Sequence, residues 1–91
     1  TGLFGTIASS IRYKEHIDDM GDLSNNIMNL RPVTFTRKDD SDKVIQYGLI
    51  AEEVEHVMRR LVGYKDGLPE TVLYHELPVL LLNELQKMNK R

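Results

Sequence analysis

The sequence predicts an α+β domain of short strands and hairpins, two short helices and a long C-terminal helix. Three observations carry this. Two β-rich runs, Val33–Lys38 and Val44–Ile50, flank a charged linker, as in a hairpin. Two more runs flank Lys65-Asp66-Gly67-Leu68-Pro69, where Asp-Gly marks a tight turn. Finally, Pro78, Leu81, Leu85 and Met88 recur at helical spacing near the end. A chain of 91 residues fits one small domain. With no cysteine, neither a disulfide nor a thiolate–metal site can supplement its modest core. Self-association is the remaining way to bury more apolar surface.

In chain order, residues 3 to 8 are short and largely apolar, with Gly2 before them and Gly5 among them, which suits an extended segment. They read as the tail of something longer, so a C-terminal fragment is expected. Ile11, Tyr13 and Ile17 lie at even separations with Arg12, Lys14 and His16 between them, a strand-like alternation. Asp18-Asp19 and Gly21-Asp22 break it. Met20, Leu23, Ile27 and Leu30 then recur every three or four residues, predicting a short helix over about 22–29 that stops before Arg31-Pro32. Between the next two strands, Asp39-Asp40-Ser41-Asp42-Lys43 reads as a solvated hairpin loop. Ala51, Val54, Val57, Met58 and Leu61 fit one face of an amphipathic helix, with Glu52, Glu53, Glu55, Arg59 and Arg60 on the wet side. Its acidic residues lead and its basic ones follow, as the helix dipole favours. The last helix spans His75 to Arg91, with Pro78 tolerated near its start. Leu77, Leu80 and Leu82 widen its apolar surface beyond what so small a domain can cover. Part of this helix is therefore expected to pack on copies of itself in a coiled-coil-like way. The seam is only about two heptads long.

Several functions are excluded or unsupported. A net charge of −2 gives no electrostatic case for nucleic acid. No apolar run reaches membrane-spanning length. His16, His56 and His75 are far apart and lack metal-site spacing, so they read as surface or interface residues. Glu52-Glu53-Glu55 reads as a solvated face, and Tyr47, Tyr64 and Tyr74 as core or rim residues. Gly2 and Gly5 do not make a phosphate loop, and no cofactor site is expected.

The stretch with chemical potential is Ala8-Ser9-Ser10-Ile11-Arg12-Tyr13-Lys14. A neutral lysine can take a serine's hydroxyl proton, and burial is what lowers a lysine's proton affinity enough. From these residues alone, a solvated serine pair and lysine on a strand is the simpler reading. Spacing adds a constraint. In a strand, residues five apart face opposite ways about 17 Å apart; in a helix they stand about 140° apart. Ser9 and Lys14 can meet only if the chain bends between them, or if a neighbouring protomer supplies the lysine.

Four blocks now point to a family. Ser9-Ser10-Ile11-Arg12-Tyr13-Lys14-Glu15-His16-Ile17 resembles the opening motif of the self-cleaving intramolecular chaperone domain, a Ser/Lys auto-processing peptidase. That domain ends phage tailspikes, tail fibres and endosialidases, and is related to a domain of myelin regulatory factors. Leu30-Arg31-Pro32-Val33-Thr34-Phe35, Tyr47-Gly48-Leu49-Ile50-Ala51-Glu52-Glu53-Val54 and Thr71–Gln86 resemble its later blocks, in order. Two departures stand out. Ser10 replaces a frequent Asp, which leaves open which serine acts, and the proline that often follows the second helix is absent.

The resemblance implies a removable module that trimerises a fibrous protein, aids its folding and then cuts itself free. It implies Ser9 as nucleophile, Lys14 as general base and Ala8–Ser9 as the scissile bond. Residues 1–8 would end the upstream fibre region, and 9–91 would form the auto-processing domain. Leu77, Leu81, Leu85 and Met88 would line the helical trimer interface. The expected partners are two further copies and the upstream domain of the same chain, with no nucleic acid, membrane, metal or cofactor. The expected setting is a virion tail fibre or tailspike precursor assembled in the host cytoplasm. A trimerisation module that never cuts is the alternative.

Overall fold

The computed structural model describes residues 7–90. Most of the extended segment expected over 3–8 lies outside these residues. Ile7 and Ala8 carry no regular structure.

The fold is mixed helix and strand, with two separate antiparallel hairpins. Strands β1 (Val33–Phe35) and β2 (Gln46–Gly48) pair Val33 with Gly48, Thr34 with Tyr47 and Phe35 with Gln46. Both are shorter than their sequence runs. The linker between them is built rather than merely solvated. The Asp40 carboxylate accepts hydrogen bonds from the Asp42 amide (2.9 Å) and the Val44 amide (3.1 Å), as an Asx turn does. Strands β3 (Val62–Lys65) and β4 (Leu68–Val72) form the second hairpin. Asp66 and Gly67 both have positive φ, 53° and 78°, which a tight two-residue hairpin turn requires. Pro69 fits because neither strand has a second neighbour, so its missing N–H costs no ladder bond.

Helix α1 (Ala51–Val57) packs against β3 and β4. It ends without a proline, four residues before the last apolar position of its sequence stripe. Met58 leaves the helix with φ −153° and ψ 83°, and the single 3-10 turn Arg59–Leu61 returns Leu61 to the core. Val54, Leu61 and Val62 form that core, with Leu30, Leu49, Met58, Val72, Leu77 and Leu80 packed around it. Leu61 is completely buried. Leu61→Ala should therefore cost about 2–5 kcal/mol in chemical denaturation. A loss below ~1 kcal/mol would contradict this placement of the core.

The helix expected over 22–29 is present as Gly21–Asn29, but wound as a 3-10 helix. Its period of three decides which residues face inward. Ser24 and Ile27 are buried and Leu30 is half-buried, whereas Leu23, counted on the apolar stripe in the sequence, is exposed.

Helix α2 (Leu77–Asn89) docks against this 3-10 helix, with Pro78 in its first turn. Its inner face starts apolar, with Leu77 and Leu80 half-buried, and turns polar toward the C-terminus. The fully buried Ser24 hydroxyl donates to Glu84 Oε2 (2.5 Å), and Asn83 Nδ2 donates to Ser24 Oγ (2.7 Å) and to the Gly21 carbonyl (2.9 Å). Lys87 Nζ donates to Glu84 Oε2 (2.9 Å) and to Asn25 Oδ1. Among the described residues no buried side-chain polar atom lacks a partner.

This polar clamp has a pH signature. The Ser24 hydroxyl, and then Lys87, hold the Glu84 carboxyl below the ordinary carboxylate range. Glu84, in turn, holds Lys87 above the ordinary lysine range. A depressed carboxyl stabilises the fold above its unfolded pKa and loses that contribution as pH falls through its folded value; the raised lysine loses its own as pH rises through its folded value. Wild type should thus lose more stability between about pH 5 and 3 than Glu84→Gln does, around the ordinary glutamate value of ~4.3. Equal losses in denaturation at the two pH values would contradict the clamp.

The hairpins and helices meet at Tyr74. Its hydroxyl accepts from the Leu49 amide (2.8 Å) and donates to the Leu49 carbonyl (3.3 Å). A Cβ on Gly48 would lie 2.8 Å from that hydroxyl and 3.2 Å from the Phe35 ring. Gly48→Ala should cost about 1–3 kcal/mol by overpacking. The loss should shrink in a Tyr74→Phe background, where the clashing oxygen is gone.

Candidate active site

The predicted strand over 11–17 does not form. Residues Ile11–Tyr13 make one turn of 3-10 helix, flanked by extended residues on both sides. Ser10 stands before the turn with φ −65° and ψ 148°, and Lys14 leaves it with φ −125° and ψ 146°. Two bonds close the turn, Tyr13 N–H to the Ser10 carbonyl (3.0 Å) and Lys14 N–H to the Ile11 carbonyl (3.1 Å). The Ser10 side chain caps it by accepting from the Arg12 amide (3.1 Å). Ser, Asp and Asn are favoured at such a position because their side chains satisfy an otherwise orphaned N–H. That preference is the sequence signal for this bend, and the hydrophobic alternation masked it.

The bend brings Ser9 and Lys14 of one chain together. Lys14 Nζ donates to Ser9 Oγ at 2.7 Å. With the amine deprotonated, the same contact can run in reverse, the hydroxyl donating to nitrogen, which is the arrangement a general base needs. Ser9 and Lys14 are both exposed, as is Ala8. Arg12 folds over the Tyr13 ring, 5.2 Å from its centre, and donates to the Tyr13 hydroxyl (3.1 Å). The guanidinium is thus held by its own chain neighbour.

The other candidate residues separate into structural roles. Glu53 takes both donors of Arg31, at 3.1 and 2.5 Å, and Arg31 holds its carboxyl below the ordinary range. Glu55 accepts from the Tyr64 hydroxyl (2.8 Å), which pushes that phenol's pKa up. Glu53 and Glu55 thus each hold a surface partner, while Glu52 stays exposed. Tyr47, expected in the core or rim, is 84% exposed. His16 and His75 are exposed and lie beside Glu15 and Glu76 respectively. Among the described residues no group of three His, Cys, Asp or Glu side chains is placed to hold a metal ion. No described helix is long and apolar enough to cross a membrane.

On α2, Leu77 is half-buried and packs against the chain's own core. Leu81, Leu85 and Met88 remain about half exposed or more, on the face turned away from the polar clamp. Leu77 and Leu81 also help line an open apolar groove of about 850 Å³, together with Ile27, Met28, Pro32 and Tyr47.

Comparison with curated proteins returned no match. A comparison with protein-family models matched residues 9–63 to the peptidase S74 family, chaperone of endosialidase. The match begins at Ser9 and covers more than half of the chain. It contains the capped turn, the 3-10 helix, the first hairpin and α1, while the resemblance over Thr71–Gln86 lies beyond it. The chain therefore belongs to the chaperone of endosialidase family, the intramolecular chaperone domain of phage tail proteins.

Proposed function

We propose that this domain assembles three copies of a tail fibre or tailspike-like protein, aids their folding, and then releases itself by cutting the Ala8–Ser9 bond. The observation that carries the cutting step is the 2.7 Å contact between Lys14 Nζ and Ser9 Oγ. Ser9 Oγ attacks the Ala8 carbonyl carbon through a small ring closed by the serine's own Cβ, Cα and amide nitrogen. Lys14, acting as a neutral amine, accepts the hydroxyl proton and delivers it to the departing Ser9 nitrogen. The C–N bond breaks, and Ala8 is left as an ester on Ser9. Water hydrolyses the ester, giving an Ala8 carboxylate and restoring the Ser9 hydroxyl. Because nucleophile and carbonyl are covalent neighbours, the positioning cost is largely met by the backbone.

Support for assembly comes from the surface. Leu81, Leu82, Leu85 and Met88 form an exposed apolar stripe on a helix whose other face is already docked. Contiguous apolar surface of this kind marks an interaction site. The exposure of Ser9 and Lys14 favours a second reading, a trimerisation module that never cuts, because nothing around them in the single chain excludes water. Mass spectrometry of a longer precursor with natural upstream sequence separates the two. Self-cutting should give two fragments meeting at Ala8 and Ser9. A stable, uncut, trimeric precursor supports the second reading, and a cut elsewhere overturns the assignment of Ser9.

A further inference from the structure

We infer that Ser10 is the positioning residue of the site, holding Lys14 against Ser9 without itself reacting. This rests on the self-cutting reading above. Its basis is the backbone from Ser9 to Lys14. Neither flank of the turn belongs to a sheet, and the described hydrogen bonds of residues 7–19 are local to that segment. No hydrogen-bonded neighbour therefore fixes the bend from outside. What fixes it is two backbone bonds of a single 3-10 turn and one side-chain cap, Ser10 Oγ accepting from Arg12 N–H. One turn of helix is poorly stable alone, because several dihedrals are fixed for few bonds. A cap is therefore a large share of what holds it. Ser10 is also the half-buried residue in an otherwise exposed stretch from Ile7 to Asp19, its side chain folded onto the turn it caps.

The same contact separates the two serines chemically. The Ser9 hydroxyl faces the amine, 2.7 Å away. The Ser10 oxygen faces a backbone N–H, which withdraws electron density from it and supplies no base. Straightening the turn would return Ser9 and Lys14 to opposite faces of an extended chain, roughly 17 Å apart. The fraction of molecules with the bend formed thus sets the fraction with a competent pair.

The test is the rate of self-cutting in the full precursor carrying Ser10→Ala, Ser10→Asp, Ser10→Asn or Ser9→Ala. Loss of the cap in Ser10→Ala should slow cutting roughly 5-fold, the effect of a typical cap on an equilibrium. Ser10→Asp and Ser10→Asn can still cap and should restore the rate to within about 2-fold of wild type. The pH profile of the residual cutting should keep its midpoint in Ser10→Ala, since the base is unchanged, and the thermal midpoint of the assembled protein should not move. Wild-type cutting by Ser10→Ala, alongside an inert Ser9→Ala, overturns the inference and leaves the self-cutting reading intact. Abolition by Ser10→Ala, Ser10→Asp and Ser10→Asn alike, with a wild-type product that begins at Ser10, also overturns it, because Ser10 is then the nucleophile. Cutting that survives in Ser9→Ala at the natural bond overturns the self-cutting reading itself.

Discussion

Ser9→Ala should leave the precursor whole. No other group is covalently placed to attack the Ala8 carbonyl, so the loss should exceed the roughly 10²–10⁴-fold that a general base alone supplies. Lys14→Ala should lose about that 10²–10⁴-fold, leaving slow cutting at the same bond. Lys14→Arg is the more discriminating change. Arginine keeps the positive charge and can donate to Ser9 Oγ, but it does not deprotonate in proteins. If Lys14 serves as a base, Lys14→Arg should be as slow as Lys14→Ala. Intact-mass time courses read all three. Near-normal cutting by Lys14→Arg would show that the lysine acts through its charge alone.

The second large effect should come from the far end of the chain. Leu81→Asp with Leu85→Asp places two carboxylates on the exposed stripe of α2, where Leu85 is 61% exposed in the single chain. Neither change touches the hydrophobic core or the Ser24–Glu84–Lys87 clamp, so the protomer should still fold. If the stripe is buried between copies, each lost leucine removes about 1.5–3 kcal/mol per chain, before the cost of confining the new charges. Light scattering should then report monomers. Cutting should stop as well, because both members of the pair are solvated in the single chain. Exclusion of water by neighbouring copies is what would favour a neutral lysine. A folded monomer that cuts at the wild-type rate would sink this coupling of chemistry to assembly.

The two halves of the site differ in how plainly the sequence announces them. Both hairpins were legible because turn chemistry is local. Asp66-Gly67 needs positive φ at both positions, and few other pairs accept it as readily. The bend at Ile11–Tyr13 was not legible. Alternating Ile11, Arg12, Tyr13 and Lys14 mimics a strand, and the opposing signal is a single capping serine. The need for either a bend or a neighbour's lysine, by contrast, did follow from the spacing of Ser9 and Lys14.

Helix type was harder than helix presence. Over Gly21–Asn29 the apolar residues permit a period of 3.6. The buried residue Ser24 is polar, so the period of three shows only once Glu84 and Asn83 meet it. The same partnership hid the inner face of α2. Asn83, Glu84 and Lys87 are polar residues that carry no apolar pattern, and it takes Ser24, Gly21 and Asn25, some sixty residues earlier, to make them a docking surface. α1 shows the opposite case: the apolar stripe continued to Leu61 while the helix stopped at Val57, because a burial pattern records which residues face the core and not how the backbone brings them there.

The most direct measurement is co-assembly of two impaired precursors, one carrying Ser9→Ala and the other Lys14→Ala, distinguished by mass. In the structure the 2.7 Å pair comes from one chain, joined by its own turn. Neither precursor then has a complete pair, and mixed assemblies should cut no faster than the slow Lys14→Ala background. Rapid cutting of the Lys14→Ala chain at Ala8–Ser9 would mean that a neighbour's lysine activates its serine, and would contradict a pair made by the bend within one chain.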